Sequence, residues 1–221
     1  MNLAHILADR AAEHPDRPAL LFEGEVVSYG ELDRRAAVAA VALRAAGVGV
    51  GDRVAIRLPN TPAYVAAYFG ALRVGAVAVP LNVLLAPPEI EARIAASNPV
   101  TIVDGPLPVE GERADDPVEL DDAETAALLF TSGTTGRPKG AVLTHGGIRA
   151  AGEFGAEALG LDAGDVVFAV APFPHVLGQQ VLVSSFLVGA AVSIMQRFEA
   201  EAALATMSAT GTTVLFAVPA M

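Results

Sequence analysis

The sequence predicts an α/β fold in which largely parallel sheets are layered with helices. Short apolar runs of strand length alternate with segments of helical period, the pattern of βαβ units whose sheet is covered on both faces. Capping residues, prolines and glycines separate these segments. In addition, 53% of the 221 residues are hydrophobic, which is enough for a sizeable core.

The first half of the chain begins with a helix and a hairpin and then alternates strands with helices. Ser28 and Glu31 have the S-x-x-E spacing of a capping box. Asn60 is the predicted N-cap of a later helix that has Pro62 in its first turn. The predicted elements are a helix at 2–13, a hairpin at 19–28, a helix from 28 to 47, a strand at 53–58, a helix from 60 to 75, a strand at 76–81, a helix at 88–97 and a strand at 100–103.

Residues 105–122 are predicted to form a proline-rich, acidic connection on the surface. The formal net charge is −11, and much of it lies near this stretch, opposed there only by Arg113. The acids are Glu110, Glu112, Asp115, Asp116, Glu119, Asp121, Asp122 and Glu124. They are interpreted as solvated loop residues, with a metal cluster of Asp121, Asp122 and Glu124 as the weaker alternative. Such acidity argues against binding to nucleic acid.

The second half continues the alternation. The predicted elements are strands at 126–130 and 141–144, a helix to about 159, a strand at 166–171, a helix at 178–188, a strand at 190–195, a helix at 199–209 and a strand at 212–218. Residues 166–196 carry no charge and are numerous enough to span a bilayer. Pro172, Pro174, His175, Gln179 and Gln180 interrupt this run, however, so buried strands and a helix are expected instead of a transmembrane segment.

The cysteine and histidine content limits which covalent links and metal sites the chain can form. The chain has no cysteine, which excludes disulfides, and its N-terminus lacks the pattern of a signal peptide, so a cytoplasmic location is expected. The four histidines are too dispersed for a zinc site. His5 and His14 are expected on the surface, and His145 is expected at the start of a helix.

The segment LLFTSGTTGRPKG, residues 128–140, is the candidate ligand loop. Three glycines let the backbone turn closely, four hydroxyl side chains add donors, and one lysine adds positive charge behind a proline. These residues are Gly133, Gly136 and Gly140; Thr131, Ser132, Thr134 and Thr135; and Lys139 behind Pro138. Such a concavity suits a polyphosphate, although a plain glycine-rich turn stays open as the alternative. The Walker and Rossmann glycine patterns do not match.

The loop resembles the signature of the adenylate-forming (AMP-binding) superfamily, which includes acyl-CoA synthetases, and the resemblance extends along the whole chain. It also rests on VSYGELDRRA (27–36), GDRVAIRLPNTPAYVAAYFGALRVGAVAVPLN (51–82), APFPHVLGQ (171–179) and FAVPAM (216–221). It implies that residues 1–221 are the N-terminal part of the AMP-binding domain. Residues 1–122 would be the first βα units and the acidic connection, and 123–221 the phosphate loop and the start of the acyl pocket, with the C-terminal half absent.

The resemblance implies a two-step reaction. ATP and a carboxylate give an acyl-adenylate and pyrophosphate, and CoA then accepts the acyl group, with Mg²⁺ accompanying the ATP. The implied phosphate-binding residues are Thr131, Ser132, Gly133, Thr134, Thr135, Gly136 and Lys139. His175 is implied to line the acyl pocket near the adenylate, and the alternative is a turn histidine satisfied by backbone. Pro174 departs from the aromatic residue that is common at its position.

The acid is expected to lack an amine, because residues 171–184 contain no carboxylate to pair with an ammonium. A fatty, aryl or other organic acid fits. The later family motifs are missing, so the chain by itself is expected to be inactive. The alternatives are a truncated, non-catalytic paralogue that binds phosphate ligands or a partner and, less favoured, an adenylation domain of a peptide synthetase. Exposed apolar surface makes self-association a further expectation.

Overall fold

The computed structural model describes residues 1–114, 116–131 and 138–217, with the side chain of Thr131 excepted. The strands are β1 (Pro18–Phe22), β2 (Glu25–Ser28), β3 (Arg53–Ile56), β4 (Val77–Pro80), β5 (Thr101–Val103), β6 (Thr125–Thr131), β7 (Lys139–Thr144), β8 (Val166–Ala169), β9 (Ala191–Ile194) and β10 (Val214–Leu215). The helices are α1 (His5–Glu13), α2 (Tyr29–Ala45), α3 (Pro62–Arg73), α4 (Pro87–Ser97), α5 (His145–Leu159), α6 (Val176–Val188) and α7 (Ala200–Thr210).

These strands form two sheets of five strands each, with the orders β10-β8-β9-β1-β2 and β5-β3-β4-β6-β7. In each sheet the first four strands in that order pair in parallel, and the last strand is antiparallel to its neighbour. The expected fold class, largely parallel sheets layered with helices, is confirmed. Because four strands share a direction, their carboxyl ends lie together at one edge of each sheet, which is where α/β proteins commonly bind ligands.

Helices and aromatic rings join the two sheets. Helix α3 packs against β3 and β4, and α6 packs against β8 and β9. The ring of Phe69 on α3 lies 5.6 Å from the ring of Phe186 on α6. Tyr29 adds an edge contact of 5.5 Å to Phe186, and all three rings are buried. This buried aromatic layer packs the helices of the two sheets together, so residues at the carboxyl edges of both sheets can form a site together.

Two sequence expectations for the first half are wrong. Asn60 does not cap α3, because the N-cap is Thr61, whose Oγ1 accepts a hydrogen bond from the Tyr64 N–H at 3.3 Å. Helix α1 begins at His5, later than residue 2, because the buried Asn2 side chain donates to the carbonyls of Leu72 and Val118. The predicted cap at Ser28 is confirmed, since its Oγ accepts from the Glu31 N–H at 3.2 Å.

The uncharged segment 166–196 forms β8, α6 and β9, as expected. Its strands are fully or nearly fully buried, and the 13-residue helix α6 buries most of its length. Among the described residues, no helix is both long enough and apolar enough to cross a membrane. The apolar run therefore serves the core between the two sheets.

Candidate functional site

The β6–β7 hairpin brings the two ends of the glycine-rich loop together. Thr131, the last residue of β6, pairs in register with Lys139, the first residue of β7. Ser132, Gly133, Thr134, Thr135 and Gly136 lie outside the described residues. Lys139 is exposed at this neck. It is also the only lysine in the sequence, so a single ammonium group stands where the loop begins and ends.

Phe130 and Gly140 face each other one step inside the neck. They pair across the two strands, and a Cβ atom added at Gly140 would lie 3.4 Å from the Phe130 ring. The Phe130 ring therefore lies within van der Waals reach of the Gly140 backbone. Phe130 also lines a cleft next to the loop, so this pair connects the loop neck to the cleft wall.

The cleft has a volume of about 360 Å³ and lies between the two sheets. Its walls come from the ends of β4, the hairpin, α4 and the start of α6. The lining residues are Pro80, Asn82, Leu85, Arg93, Leu129, Phe130, Ala141, Leu143, Pro174, His175 and Val176. Most of this surface is apolar, and three nitrogen-bearing side chains, Asn82, Arg93 and His175, line it. An apolar cleft with few polar groups is typical of a site for a small organic ligand.

Arg93 is a buried cation on the cleft wall. Its side chain is 8% exposed, and its Nη1 donates to the backbone carbonyl of Glu89 at 2.8 Å. The Glu89 carboxylate is 3.7 Å away, a distance that gives only a weak ion pair. A guanidinium has five N–H donors in a fixed fork. Because an arginine side chain stays protonated in proteins, Arg93 gives this wall of the cleft a positive charge as well as these donors.

His175 stands at the N-cap position of α6, where its side chain makes no capping hydrogen bond. It is exposed and lines the cleft, as the acyl-pocket hypothesis requires. Its backbone N–H donates to the Pro172 carbonyl at 2.9 Å, which closes a turn before the helix. The structure thus brings His175 and the loop hairpin to the walls of one cleft.

A second depression of about 230 Å³ adjoins the cleft and shares Asn82 and Pro174 with it. Its lining residues are Leu58, Pro59, Asn60, Asn82, Val83, Leu84, Pro172, Pro174, Gln196 and Arg197. These residues follow β3, β4, β8 and β9, so the carboxyl edges of both sheets meet here. A larger cavity of about 520 Å³ lies between the β1–β2 hairpin and α7 and contains no residue predicted for the site.

His145 lies away from the cleft. It follows β7 at the end opposite Lys139, about 20 Å along the strand. It begins α5 as expected, but it is completely buried, and its Nδ1 accepts a hydrogen bond from the Leu3 N–H at 2.9 Å. Burial lowers the pKa of His145 to about 4, with the Met1 ammonium adding to the effect and Asp122 opposing it. A neutral, enclosed imidazole here supports the fold and not the chemistry of the site.

The other histidines and the acidic connection are also outside the cleft. His14 is exposed as expected, whereas the expectation for His5 is wrong, because its side chain is only 17% exposed beside Glu119. Asp122 accepts from the Met1 ammonium at 2.9 Å and from Arg149 at 2.7 Å. Within the described ranges, no group of three His, Cys, Asp or Glu side chains could hold a metal ion.

Three polar residues of the cleft and the adjoining depression, Asn60, Asn82 and Arg93, are not among the predicted site residues. Asn60 carried a signal that was assigned to helix capping, and Asn82 follows a strand that was correctly predicted. Arg93 sits in a helix among Glu89 and Glu91, where nothing in the charge pattern separates it from a surface arginine. Only the packing of α4 against β3 brings Arg93 to the cleft.

Comparison with known proteins agrees with this geometry. The sequence model described as "AMP-binding enzyme" matches residues 7–221. A feruloyl-CoA synthase of an Amycolatopsis species is 36% identical over 236 residues, covering 96% of this chain and 48% of that protein. A 3-hydroxybenzoate–CoA ligase of Aromatoleum sp. (strain CIB) is 36% identical over 188 residues, covering 70% of this chain and 36% of the ligase.

A solved structure supports the same assignment. The N-terminal domain of FACL13 from Mycobacterium tuberculosis superposes with a TM-score of 0.91 at 26% identity, covering 99% of this chain and 63% of that one. By the sequence comparison, the chain spans about half the length of the feruloyl-CoA synthase that it matches. With the family model covering nearly the whole sequence, the chain belongs to the AMP-binding enzyme family.

Proposed function

We propose that this chain contributes the phosphate loop and part of the acid pocket of an ATP-dependent acid–CoA ligase. In the proposed reaction a carboxylate attacks ATP, pyrophosphate leaves, and CoA then takes the acyl group from the acyl-adenylate. The observation that carries the proposal is the pairing of Thr131 with the exposed Lys139 beside the apolar cleft that His175 lines. Residues 1–221 would be the N-terminal part of the AMP-binding domain.

The loop neck fits a leaving pyrophosphate. The first step builds negative charge on the departing phosphates, and preorganised donors stabilise such charge most in a site that excludes water. Lys139 would supply the cation. Thr131, Ser132, Thr134 and Thr135 would supply hydroxyl donors, with Gly133 and Gly136 allowing close approach of the backbone. This assignment is part of the proposal and rests on the chemistry of the donor set.

The cleft fits an acid with an apolar body. Leu85, Phe130 and Leu143 present hydrophobic surface, while His175 stands on the same cleft wall as Pro174. The two relatives that are 36% identical are named for aromatic acids, feruloyl and 3-hydroxybenzoate. We therefore propose an aromatic carboxylic acid as the first substrate class to test, with fatty acids as the comparison.

Mg²⁺ and CoA belong to the proposal, and none of the described residues is assigned to either of them. The described residues offer no cluster of acidic or histidine side chains for a metal ion. Mg²⁺ is proposed to accompany the ATP phosphates, as is common for an ion that dehydrates reluctantly. CoA is proposed as the thiol acceptor from the names of the relatives, and no described residue is assigned to it.

Acid-dependent ATP–pyrophosphate exchange tests the proposal. The full-length protein in which this chain occurs is assayed with ferulate, 3-hydroxybenzoate and hexadecanoate, and AMP and acyl-CoA are quantified when CoA is added. We expect exchange with at least one aromatic acid and AMP as the nucleotide product. ADP as the product, or no acid dependence across the panel, would contradict the proposal. The 221-residue chain alone is expected to give no exchange.

A matched pair of charge deletions tests the role of Lys139. Replacing Lys139 by Met is expected to lower the exchange rate about 10²–10³-fold, the usual cost of removing one transition-state donor. Replacing Arg44 by Met removes one exposed positive charge at the end of α2, outside the lining of the cleft, and is expected to leave the rate unchanged. Equal rates for the two variants would show that Lys139 does not hold phosphate.

A further inference from the structure

We propose that Asn60 is a positioning residue of the cleft, whose side chain fixes the turn at residues 172–173 and thereby sets the place of His175. The inference rests on the proposed function only in taking His175 as part of the acid pocket. Asn60 is 4% exposed, although it lies in the loop after β3. A buried amide of this kind is kept only when its hydrogen bonds are satisfied.

The Asn60 amide joins the carboxyl edges of the two sheets. Its Oδ1 accepts from the Phe173 N–H at 2.9 Å, and its Nδ2 donates to the Ala171 carbonyl at 2.9 Å. The Nδ2 also lies 3.5 Å from the Met195 carbonyl, at the edge of hydrogen-bonding distance. Ala171 and Met195 follow β8 and β9, whereas Asn60 follows β3 of the other sheet. One side chain therefore spans both sheets.

A second buried amide holds the same turn from the other side. Gln179 is 2% exposed, and its Nε2 donates to the Phe173 carbonyl at 3.1 Å and lies 3.2 Å from the Tyr64 hydroxyl. The Phe173 ring packs 5.2 Å from the Tyr64 ring. The N–H and the carbonyl of Phe173 are thus each bonded to a buried side-chain amide, so the backbone of this residue has a fixed position.

This constraint passes directly to His175. Only Pro174 separates His175 from Phe173, and proline restricts the backbone on both of its sides. The His175 N–H donates to the Pro172 carbonyl at 2.9 Å, which ties it to the same turn. A shift of Phe173 therefore moves His175 relative to the cleft. A purely structural role for Asn60 would lower global stability without singling out His175.

Hydrogen exchange and histidine resonances separate these roles. The chain has four histidines, so a histidine-labelled sample gives few signals, and His175→Gln assigns the one that matters. In Asn60→Ala we expect the His175 ring resonances to shift while those of the buried His145 stay in place. We also expect the Phe173 amide to exchange about tenfold faster, from the lost hydrogen bond. The reference is Val77, whose N–H donates to the Asp52 carbonyl at 2.8 Å.

Asn82→Ala is the matched control. Asn82 lines both the cleft and the depression that Asn60 lines, but its Oδ1 accepts from the Leu84 N–H two residues away and does not bridge the sheets. It should leave Phe173 exchange unchanged. If Asn60→Ala does not fold, Gln179→Met removes the second amide at similar volume and should shift the same His175 resonances.

The proposal would be overturned if the His175 resonances were unchanged in both Asn60→Ala and Gln179→Met. It would also be overturned if the exchange rates of the Phe173 and Val77 amides rose by the same factor. The measurement uses no ATP and no acid. A shifted His175 in a protein that lacks ligase activity would therefore sink the proposed function and leave the positioning role standing. Unchanged His175 resonances in an active ligase would overturn the positioning role and leave the proposed function standing.

Discussion

His145 and Asn2 show how single polar side chains connect distant parts of this chain. The His145 Nδ1 accepts from the Leu3 N–H, and the Asn2 side chain donates to the Leu72 carbonyl at 2.7 Å and the Val118 carbonyl at 2.9 Å. Both residues are completely buried. Removing one partner of such a bond leaves an unpaired polar group inside the protein, which costs about 1–3 kcal/mol. The N-terminal segment is therefore part of the core.

The depressed pKa of His145 gives the fold a defined pH dependence. The folded state favours the neutral imidazole, with a pKa of about 4 against an ordinary value of 6.5. The stabilisation is therefore fully present above about pH 6.5 and is lost as the pH falls towards 4. Linkage gives a loss of about 2 kcal/mol between pH 7.5 and pH 5. Urea unfolding across this range measures it.

A His145→Asn variant is the control for that titration. Other groups also titrate in this range, so the informative quantity is the difference between the two proteins in free energy of unfolding. This difference should shrink as the pH falls from 7.5 to 5, because only the histidine must take up a proton. A difference that stays constant with pH would show that His145 is not held neutral.

At the scale of elements, the sequence pattern was a good guide to local structure. The alternation of apolar runs and capping residues correctly predicted the β1–β2 hairpin, β8, α6 and β9, because helix and strand periods are properties of neighbouring residues. The pattern did not predict which strands share a sheet. Leu20 of β1 pairs with Val192 of β9, a contact between opposite ends of the chain. Such pairing depends on packing and not on local composition.

The same limit explains what could be predicted of the site. The family resemblance implied a pocket role for His175, and the structure places this residue on the wall of the cleft. The sequence assigned Lys139 to the loop and began the next strand at residue 141, whereas β7 begins at Lys139 itself. Asn60 was misassigned because its partners, Ala171, Phe173 and Met195, are more than a hundred residues away. A polar residue before a proline-containing helix predicts a cap, and only the assembled sheets show that the neighbouring Thr61 takes that role.

Helix α6 depends on one close approach at its start. A Cβ atom added at Gly178 would collide with the Pro172 carbonyl oxygen and lie 2.8 Å from the Phe173 Cα atom. Both are backbone atoms that cannot rotate away. Gly178→Ala is therefore expected to cost about 1–3 kcal/mol, as overpacked positions do. Thermal or urea unfolding of the 221-residue chain checks this value.

Gly105→Ala is the matched control for Gly178→Ala. Nothing lies within 4 Å of a Cβ atom built at Gly105, which has no positive φ. This change is expected to alter the free energy of unfolding by less than about 0.5 kcal/mol. If Gly178→Ala were equally mild, the turn at residues 172–173 would have more freedom than the structure shows.

At the scale of the whole molecule, the carboxyl edges of the two sheets face a common cleft. One sheet supplies the loop hairpin and the walls around Pro80, and the other supplies the turn that carries His175. The chain as a whole is acidic, with a formal charge of −11, yet Arg93 and Lys139 place positive charge at the cleft and at its neck. An anionic ligand would therefore be held by these local groups, against the charge of the molecule as a whole.

Protection of Lys139 from chemical acylation tests this account most directly. Lys139 is the only lysine, and the Met1 ammonium, paired with Asp122 at 2.9 Å, serves as the internal control amine. The 221-residue chain is treated with a limiting amount of an amine-reactive ester in three samples: without ligand, with ATP and Mg²⁺, and with adenosine. Mass spectrometry then measures the acylation of both amines in each sample. If the loop holds the phosphates, ATP at ten times its Kd should slow Lys139 about tenfold. Adenosine should not slow it, and Met1 should react equally in all samples. Equal acylation of Lys139 with and without saturating ATP would contradict the central claim.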